Sequence, residues 1–315
     1  MATPVRSDVH VDVAATQFSV AYRNQMYIAD QILPIVPVAK ETGKYFVYNK
    51  ASWMRNEAGV RAPGTRAPRA WYSMDTPGSY NCIPYSIATT VSDEVREQAD
   101  NPLQPERTAI EFATDKILLA REARVAAALF NGTTFSSYTA TAAALSGGAG
   151  AAWDDYNSSD PVQDMNIVRK NIIKSIGYAP NTMVVGIDVY AALLQHPSIL
   201  ERVKYSQLGV VTDDLLARLF NVEKFLHGDA IYTASEEGTT ASYSAVWTTD
   251  VLMAYVARAP ALESPSLGYI LTYKGRTVER FREDQEHTDV FSVEENTDEI
   301  ICAADAGYLL TSVVS

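Results

Sequence analysis

Residues 44–72 read KYFVYNKASWMRNEAGVRAPGTRAPRAWY, and residues 101–131 read NPLQPERTAIEFATDKILLAREARVAAALFN; the fold turns on this pair. The first stretch belongs to a basic tongue over 43–88, broken by glycine and proline. From Lys40 to Arg69 it carries Lys40, Lys44, Lys50, Arg55, Arg61, Arg66 and Arg69 against only Glu41 and Glu57. Residues 44–50 are aromatic and β-branched and suit a strand. Residues 55–68 form a loop, and 71–75 and 80–90 are the expected returning strands. A two-stranded ribbon is marginal in water by itself, so this projection calls for a neighbour to lie on. The second stretch reads as one long helix over 105–131 with Pro105 in its first turn. Ile110, Ala113, Ile117, Ala120, Ala127 and Ala128 share one side. Phe112, Leu119, Ala123, Ala126 and Phe130 widen it, and Glu111, Asp115 and Glu122 line up as an acidic stripe.

The 315 residues suffice for a full core and two domains. A hydrophobic share of 47% and a charged share of 20% are globular values. The net charge of -12 repels nucleic acid over most of the surface and disfavours a general DNA-binding role. No run approaches the ~18 apolar residues of a membrane span, and no secretory signal pattern opens the chain. Cys82 and Cys302 form no CxxC; in apolar, strand-like surroundings they are expected to stay reduced and unbonded.

Elsewhere, 1–16 reads as an extended arm and 17–30 as a short helix. Residues 133–157, rich in Ala, Gly, Ser and Thr, suggest a surface loop. Asp160-Pro161 opens a helix that stops at Gly177. Residues 182–187 are a buried strand, followed by a helix over 189–195, one from Pro197, another over 213–220, and strand-like 230–234, 245–248 and 251–257. From Gly268 onward long antiparallel strands with one wet face are expected. Residues 283–299 hold eight carboxylates and no Lys or Arg.

Catalytic signatures are scarce. The histidines His10, His196, His227 and His287 show no metal spacing, with His227 read into a turn, and no HExxH, GxSxG or P-loop is present. Gly147-Gly148-Ala149-Gly150 reads as a flexible loop rather than a phosphate cradle. Asp284, Glu286, His287 and Asp289 alternate as cation ligands might, but lack the turn glycine of a tight calcium loop; a solvated hairpin turn is the simpler reading. The Glu111/Asp115/Glu122 stripe, beside Arg121 and Arg124, suggests structural ion pairs before acid–base chemistry. Tyr45, Tyr48, Trp53, Trp71, Tyr72 and Tyr80 interleave with the tongue's cations. Such a mixture can stack on single-stranded nucleic acid or form a protein interface, and the acidity of the remaining chain favours the interface.

The order of elements resembles major capsid proteins of tailed bacteriophages with the Hong-Kong-97-type fold. The stretch at 44–72 looks like the extended loop that crosses a neighbouring subunit, and 101–131 like the spine helix. APNTMVVGIDVYAALLQHP (179–197) looks like the strand–helix unit of the axial domain, and EENTDEIICAADAGYLLTSVV (294–314) is similar to the capsid C-terminus. The resemblance implies an α+β fold with an N-terminal arm (1–40) and an extended loop (41–90). A peripheral domain (91–158 and 268–298) and an α/β axial domain (159–267 and 299–315) would follow. It implies a non-enzymatic, self-assembling icosahedral shell without cofactor or metal, assembled in the host cytoplasm around double-stranded DNA that it contacts without sequence specificity. Hexamers and pentamers of the chain and a portal belong to that picture, with the presence of a decoration protein left open. The family's large N-terminal scaffolding extension is missing from this sequence, so a separate scaffolding protein is expected. An encapsulin-type compartment packaging an enzyme is the alternative. The expected inter-subunit contacts are Arg55, Arg61, Arg66, Arg69 and Trp71 of the tongue against Glu111, Asp115, Glu122, Asp284 and Glu286.

Overall fold

The computed structural model describes residues 24–47, 49–73, 78–99, 103–204, 211–236, 238–259 and 265–314. The expected arm at 1–16, the start of the expected helix at 17–30, His10 and Tyr48 lie outside the described residues. In chain order the strands are β1 (Ile35–Val38), β2 (Thr42–Tyr45), β3 (Gly78–Asn81), β4 (Ile83–Ser92), β5 (Thr139–Thr141), β6 (Thr182–Gly186), β7 (Lys224–Gly228), β8 (Ile231–Thr233), β9 (Tyr243–Ala245), β10 (Val251–Ala254), β11 (Gly268–Glu283), β12 (Thr288–Ile301) and β13 (Gly307–Thr311). The helices are α1 (Ala29–Ile32), α2 (Lys50–Met54), α3 (Asp93–Glu97), α4 (Pro105–Leu129), α5 (Gly132–Phe135), α6 (Pro161–Ile176), α7 (Ile187–Gln195), α8 (Pro197–Val203) and α9 (Asp213–Leu219).

The fold is α+β and contains two main sheets. One has the order β1-β11-β12-β4 and is crossed by α4. The other is mixed, with the order β5-β13-β10-β6-β7. Its central strands β6 and β10 are buried along their whole length. Alternation along the strands explains this. Met183, Val185, Val251, Met253 and Leu310 pack on one side with Trp153, Met165 and Ile172. Val184, Leu252, Ala254 and Leu309 pack on the other with Ile28, Ile32, Val125, Leu129 and Trp247. The second cluster draws in the end of α4 and α1, so the long helix shares one core with the mixed sheet.

Several sequence expectations shift. Among the described residues of the helix expected over 17–30, helix begins only at Ala29, where Glu122 accepts the N–H groups of Ile28 and Ala29. The tongue ribbon is short, β2 against β3. After Tyr45, Asn49 accepts from Ser52 N and caps α2, which ends the expected strand at 44–50. Residues Trp71–Ser73 are irregular, and β4 leaves the ribbon to pair with β12 in the large sheet. Residues 133–157 are only in part a surface loop, irregular from Leu145 to Asn157. They supply α5 and β5, the latter parallel to β13 in the mixed sheet, although the expected boundary at 158 groups it with the peripheral part. The fully buried Trp153 donates from Nε1 to Asp164 Oδ2 at 2.9 Å, and Ala149 N donates to Asp164 Oδ1 at 2.8 Å. Gly148 is required there, since an added Cβ would lie 2.6 Å from Asp164 Oδ1. His227 sits on β7 rather than in a turn. The cap at Asp160 and the left-handed Gly177, with φ of 77°, bound α6 as the sequence indicates.

His196, only 1% exposed, joins α7 to α8. Ser198 N donates to its Nδ1 at 3.2 Å. Ser159 Oγ donates to Asp155 O at 2.6 Å and so accepts from His196 Nε2 at 2.9 Å. The ring is therefore assigned as the neutral Nε2–H tautomer. Burial lowers its pKa below 6.5, with Asp160 opposing. A proton thus binds the unfolded chain more tightly. The stabilisation is complete above about 6.5 and is lost as pH falls through the lowered value. Urea midpoints of the unassembled chain should fall from pH 7.5 to 5.0, and His196→Gln should flatten that slope.

Candidate functional site

Every residue from Trp53 through Ser73 is exposed, an uncommon state for a stretch with two tryptophans. The base of the tongue is fixed to its own subunit: Lys50 Nζ meets Asp305 Oδ2 at 2.7 Å and Ser175 Oγ at 3.0 Å. Asn49 N donates to Ser73 O at 3.0 Å and closes the neck. Beyond it, Trp53 and Tyr72 tilt against each other at 6.2 Å, and Trp71 stands 81% exposed. Arg55 pairs with Glu57 at 3.0 Å. Among the described residues, no ion pair engages Arg61, Arg66 or Arg69. The tip therefore presents aromatic surface and cations, a mixture enriched at protein interfaces.

The acidic candidates separate. Glu111 is exposed and pairs with Arg107 one turn back at 2.8 Å. Asp115 accepts from Tyr27 Oη at 2.9 Å, and burial foremost pushes that phenol up to about 12. Glu122 is not part of an exposed stripe. It is 1% exposed and accepts from Ile28 N at 3.0 Å, Ala29 N at 2.9 Å and Trp247 Nε1 at 2.7 Å. Burial pushes its carboxyl up, and those three donors pull it back. Such a group has no surface to offer a second subunit. Asp284 and Glu286 lie exposed in the β11–β12 turn, where Asp284 reaches Arg282 only at 3.5 Å. They surround the solvated hairpin turn, with His287 at a φ of 49°.

Asp289, Glu294, Glu295, Asp298 and Glu299 have partners within the subunit itself. Arg121 and Glu295, each about 5% exposed at the side chain, pair at 2.7 Å, and Arg121 also holds Asp30 at 2.7 Å. Arg124 reaches Glu299 at 2.8 Å and lies over the Tyr85 ring at 3.6 Å. At the far end Arg282 grips Asp93 with both terminal nitrogens, at 2.7 and 2.5 Å, while Arg96 and Arg280 converge on Asp289. Arg282 holds the Asp93 carboxyl down at about 2, and Arg280 holds Asp289 low. Sequence reasoning expected ion pairs for Arg121 and Arg124 but not these partners: Glu295 and Glu299 lie on a strand 174 and 175 positions away, and Asp30 on α1 is 91 away. Both thiols are free, Cys82 buried and Cys302 raised to about 11 by burial.

The model of the family described as phage major capsid protein E matches residues 120–255. The major capsid protein of Burkholderia phage BcepMu is 30% identical over 313 residues, covering 96% of each chain. Among solved structures, a phage-related protein from Bordetella bronchiseptica is 24% identical with a TM-score of 0.71, covering 93% of each chain. The capsid structure of cyanophage P-SCSP1u is 9% identical with a TM-score of 0.62, covering 96% of this chain and 93% of that one. The encapsulin of Synechococcus elongatus is more distant in shape, with a TM-score of 0.51 at 13% identity over 95% of this chain and 94% of that one. These likenesses give the Hong-Kong-97-type fold.

Removing the acceptor at Glu122 should strand three N–H donors in the core. Glu122→Leu should destabilise the unassembled chain by about 3 kcal/mol or more. Glu122→Gln keeps a carbonyl acceptor and should cost less. Urea titrations followed by tryptophan fluorescence measure both.

Proposed function

This chain belongs to the family of phage major capsid proteins, and from that premise we propose that its copies close into an icosahedral shell by laying the tongue on an adjacent subunit. The role is that of a structural shell protein of the virion. The observation that carries the contact is the unbroken exposure of 53–73 around Trp53, Trp71, Tyr72, Arg61, Arg66 and Arg69. A segment of this length and composition gains nothing from solvent, and a repeated heterologous contact closes as rings. The partner surface consists of the carboxylates that remain exposed, Glu111, Asp284 and Glu286. Asp115 contributes its outer edge, whereas Glu122 is withdrawn by burial. Arg55 supports the tip through Glu57.

Each exposed pair is worth on the order of 0.2–1 kcal/mol. The charges therefore set register and salt sensitivity, and the aromatics supply most of the area. Hexamers and pentamers of the chain enclose double-stranded DNA without sequence-specific contact, in keeping with a net charge of -12. A separate scaffolding protein and a portal complete the assembly in the host cytoplasm, and the presence of a decoration protein is left open. No catalytic step is assigned to any residue. The encapsulin reading predicts a cargo peptide and an enzyme in the purified particle instead of DNA.

Arg61→Glu with Arg66→Glu should abolish particles while the subunit keeps its urea midpoint. Glu111→Lys with Glu286→Lys should restore part of the assembly. Negative-stain imaging, with scaffold co-expressed if required, reads the outcome. Normal particles from the reversed chain at low salt would assign the contact to the aromatics and remove the charge pairing.

A further inference from the structure

β4 ends the sheet β1-β11-β12-β4, and among the described residues no strand pairs on its outer side. Its ten residues, Ile83–Ser92, read IPYSIATTVS and hold no charge. The other open edges are guarded. The outer half of β11 carries Arg276, Glu279, Arg280, Arg282 and Glu283, β7 begins with Lys224, β1 contains Pro37, and β5 has only three residues. Charge, proline and shortness are what keep an edge from pairing, and an uncharged edge as long as β4 is a template for another strand.

Register fixes which of its groups are free. Asp93 N donates to His287 O at 3.0 Å and continues the pairs Val91↔Asp289 and Ser92↔Thr288. In an antiparallel ladder alternate residues turn N–H and C=O to the partner. Tyr85, Ile87, Thr89 and Val91 therefore bond β12, whereas Ser86, Ala88, Thr90 and Ser92 turn theirs outward. The side chains of Ser86, Ala88 and Thr90 are exposed, and those of Ile87 and Val91 pack on the α4 side.

A second copy of this edge fits. An antiparallel copy centred on Ala88 opposes Ala88 to itself, Ser86 to Thr90, Ile87 to Thr89 and Tyr85 to Val91. Opposed residues share a face, the outward N–H and C=O groups meet, and no charges are set against each other. β-Branched and aromatic residues across strands stabilise such pairs. Pro84, which has no N–H, falls at the end, opposite Ser92. α4 lies against both β12 and β4, so the two α4 helices would run about two strand spacings apart, ~10 Å, the distance of packed helices. Ala120, exposed on the flank opposite Glu122, leaves room for that approach, and Lys116 on the same flank lies back over the Phe112 ring.

Symmetry supplies the need for such a contact. The heterologous tongue contact closes rings, and rings join into a shell only through a second contact; across a two-fold axis that contact uses the same patch on both copies. Resting on the shell reading above, we propose that β4 pairs with β4 of a second copy, antiparallel about a two-fold axis at Ala88, so that two four-stranded sheets become one continuous sheet.

Analytical ultracentrifugation of the full chain carrying Arg61→Glu and Arg66→Glu, in which the tongue contact is disabled, isolates the strand contact. That chain should sediment as monomer and dimer, with the dimer share rising with concentration. Ser86→Lys with Thr90→Lys, added to it, opposes lysines across the axis and should weaken the dimer at least about tenfold. Ser86→Lys with Thr90→Glu opposes unlike charges and should keep it. Both positions are exposed, and unchanged urea midpoints at dilution control for folding. A tongue-reversed chain that stays monomeric at every concentration would overturn the proposal, as would equal dimerisation of the two double variants. If the tongue-reversed chain still forms particles, the tongue pairing fails and the strand contact is judged on those particles. They should be lost with the lysine pair and kept with the Lys/Glu pair, and equal yields from both would overturn it.

Discussion

The carboxylate of Glu122 is the constraint on which the remaining architecture depends. It sits on α4, accepts the two N–H groups that begin α1, and accepts the indole N–H of Trp247 beside the mixed sheet. One buried acceptor therefore fixes the arm, the long helix and the mixed sheet relative to one another. Its neighbour Arg121 faces the other way and joins Asp30 to Glu295 of β12. Two adjacent charged residues thus tie both sheets to one helix. Buried ionic groups are weak evidence for raw stability. Their geometric demand is what counts here, since a slipped α4 would leave an arginine, a glutamate and three donors unpaired in the interior.

The same logic distributes the charge of the whole subunit. Within the acidic 283–299 segment, Asp289, Glu295 and Glu299 are neutralised from within by Arg96, Arg121, Arg124, Arg276, Arg280 and Arg282. Its carboxylates lock the β11–β12 hairpin to α3 and α4. The bidentate Arg282–Asp93 pair and the low Asp93 pKa of about 2 mean that this end stays ionised well into acid. Exposed to the outside are the tongue's Arg61, Arg66 and Arg69, without an ion pair among the described residues, and the exposed carboxylates Glu111, Asp284 and Glu286. Internal and external charge are kept separate, which lets a subunit stay folded while its contacts are remade.

Much of this was legible in the sequence, for reasons that can be named. The long helix, the capped and glycine-stopped α6, the apolar β6 and the paired wet strands each carry a local signal, in periodicity, Asp-Pro, Gly or alternation. The family order followed from their succession. What was hidden depended on partners distant in the chain. Glu122 aligns with Glu111 and Asp115 on a helical wheel, and only α1 and Trp247 turn it inward. Ala120 and Ala127 were placed on the buried side, yet they are exposed while Arg121 is buried. Residues 133–157 look like a loop because small residues give no pattern, although Trp153 and Asp164 anchor them in the core. A charged pair amid alanines, and a lone tryptophan in a small-residue run, were the signals available.

The tongue shows why fold and function separate in this chain. Its neck is tied to its own subunit through Asn49 and Lys50, and its tip stands exposed from Trp53 through Ser73. A tip that found partners on its own surface would stabilise the monomer and compete with assembly. In the proposed contact between copies, the exposed apolar area of Trp53, Trp71 and Tyr72 would contribute roughly 25 cal/mol per Å² buried. Exposure of this kind, a liability in a monomeric protein, is in the proposed shell contact the driving force for association. The rigid neck limits the directions in which that force can act.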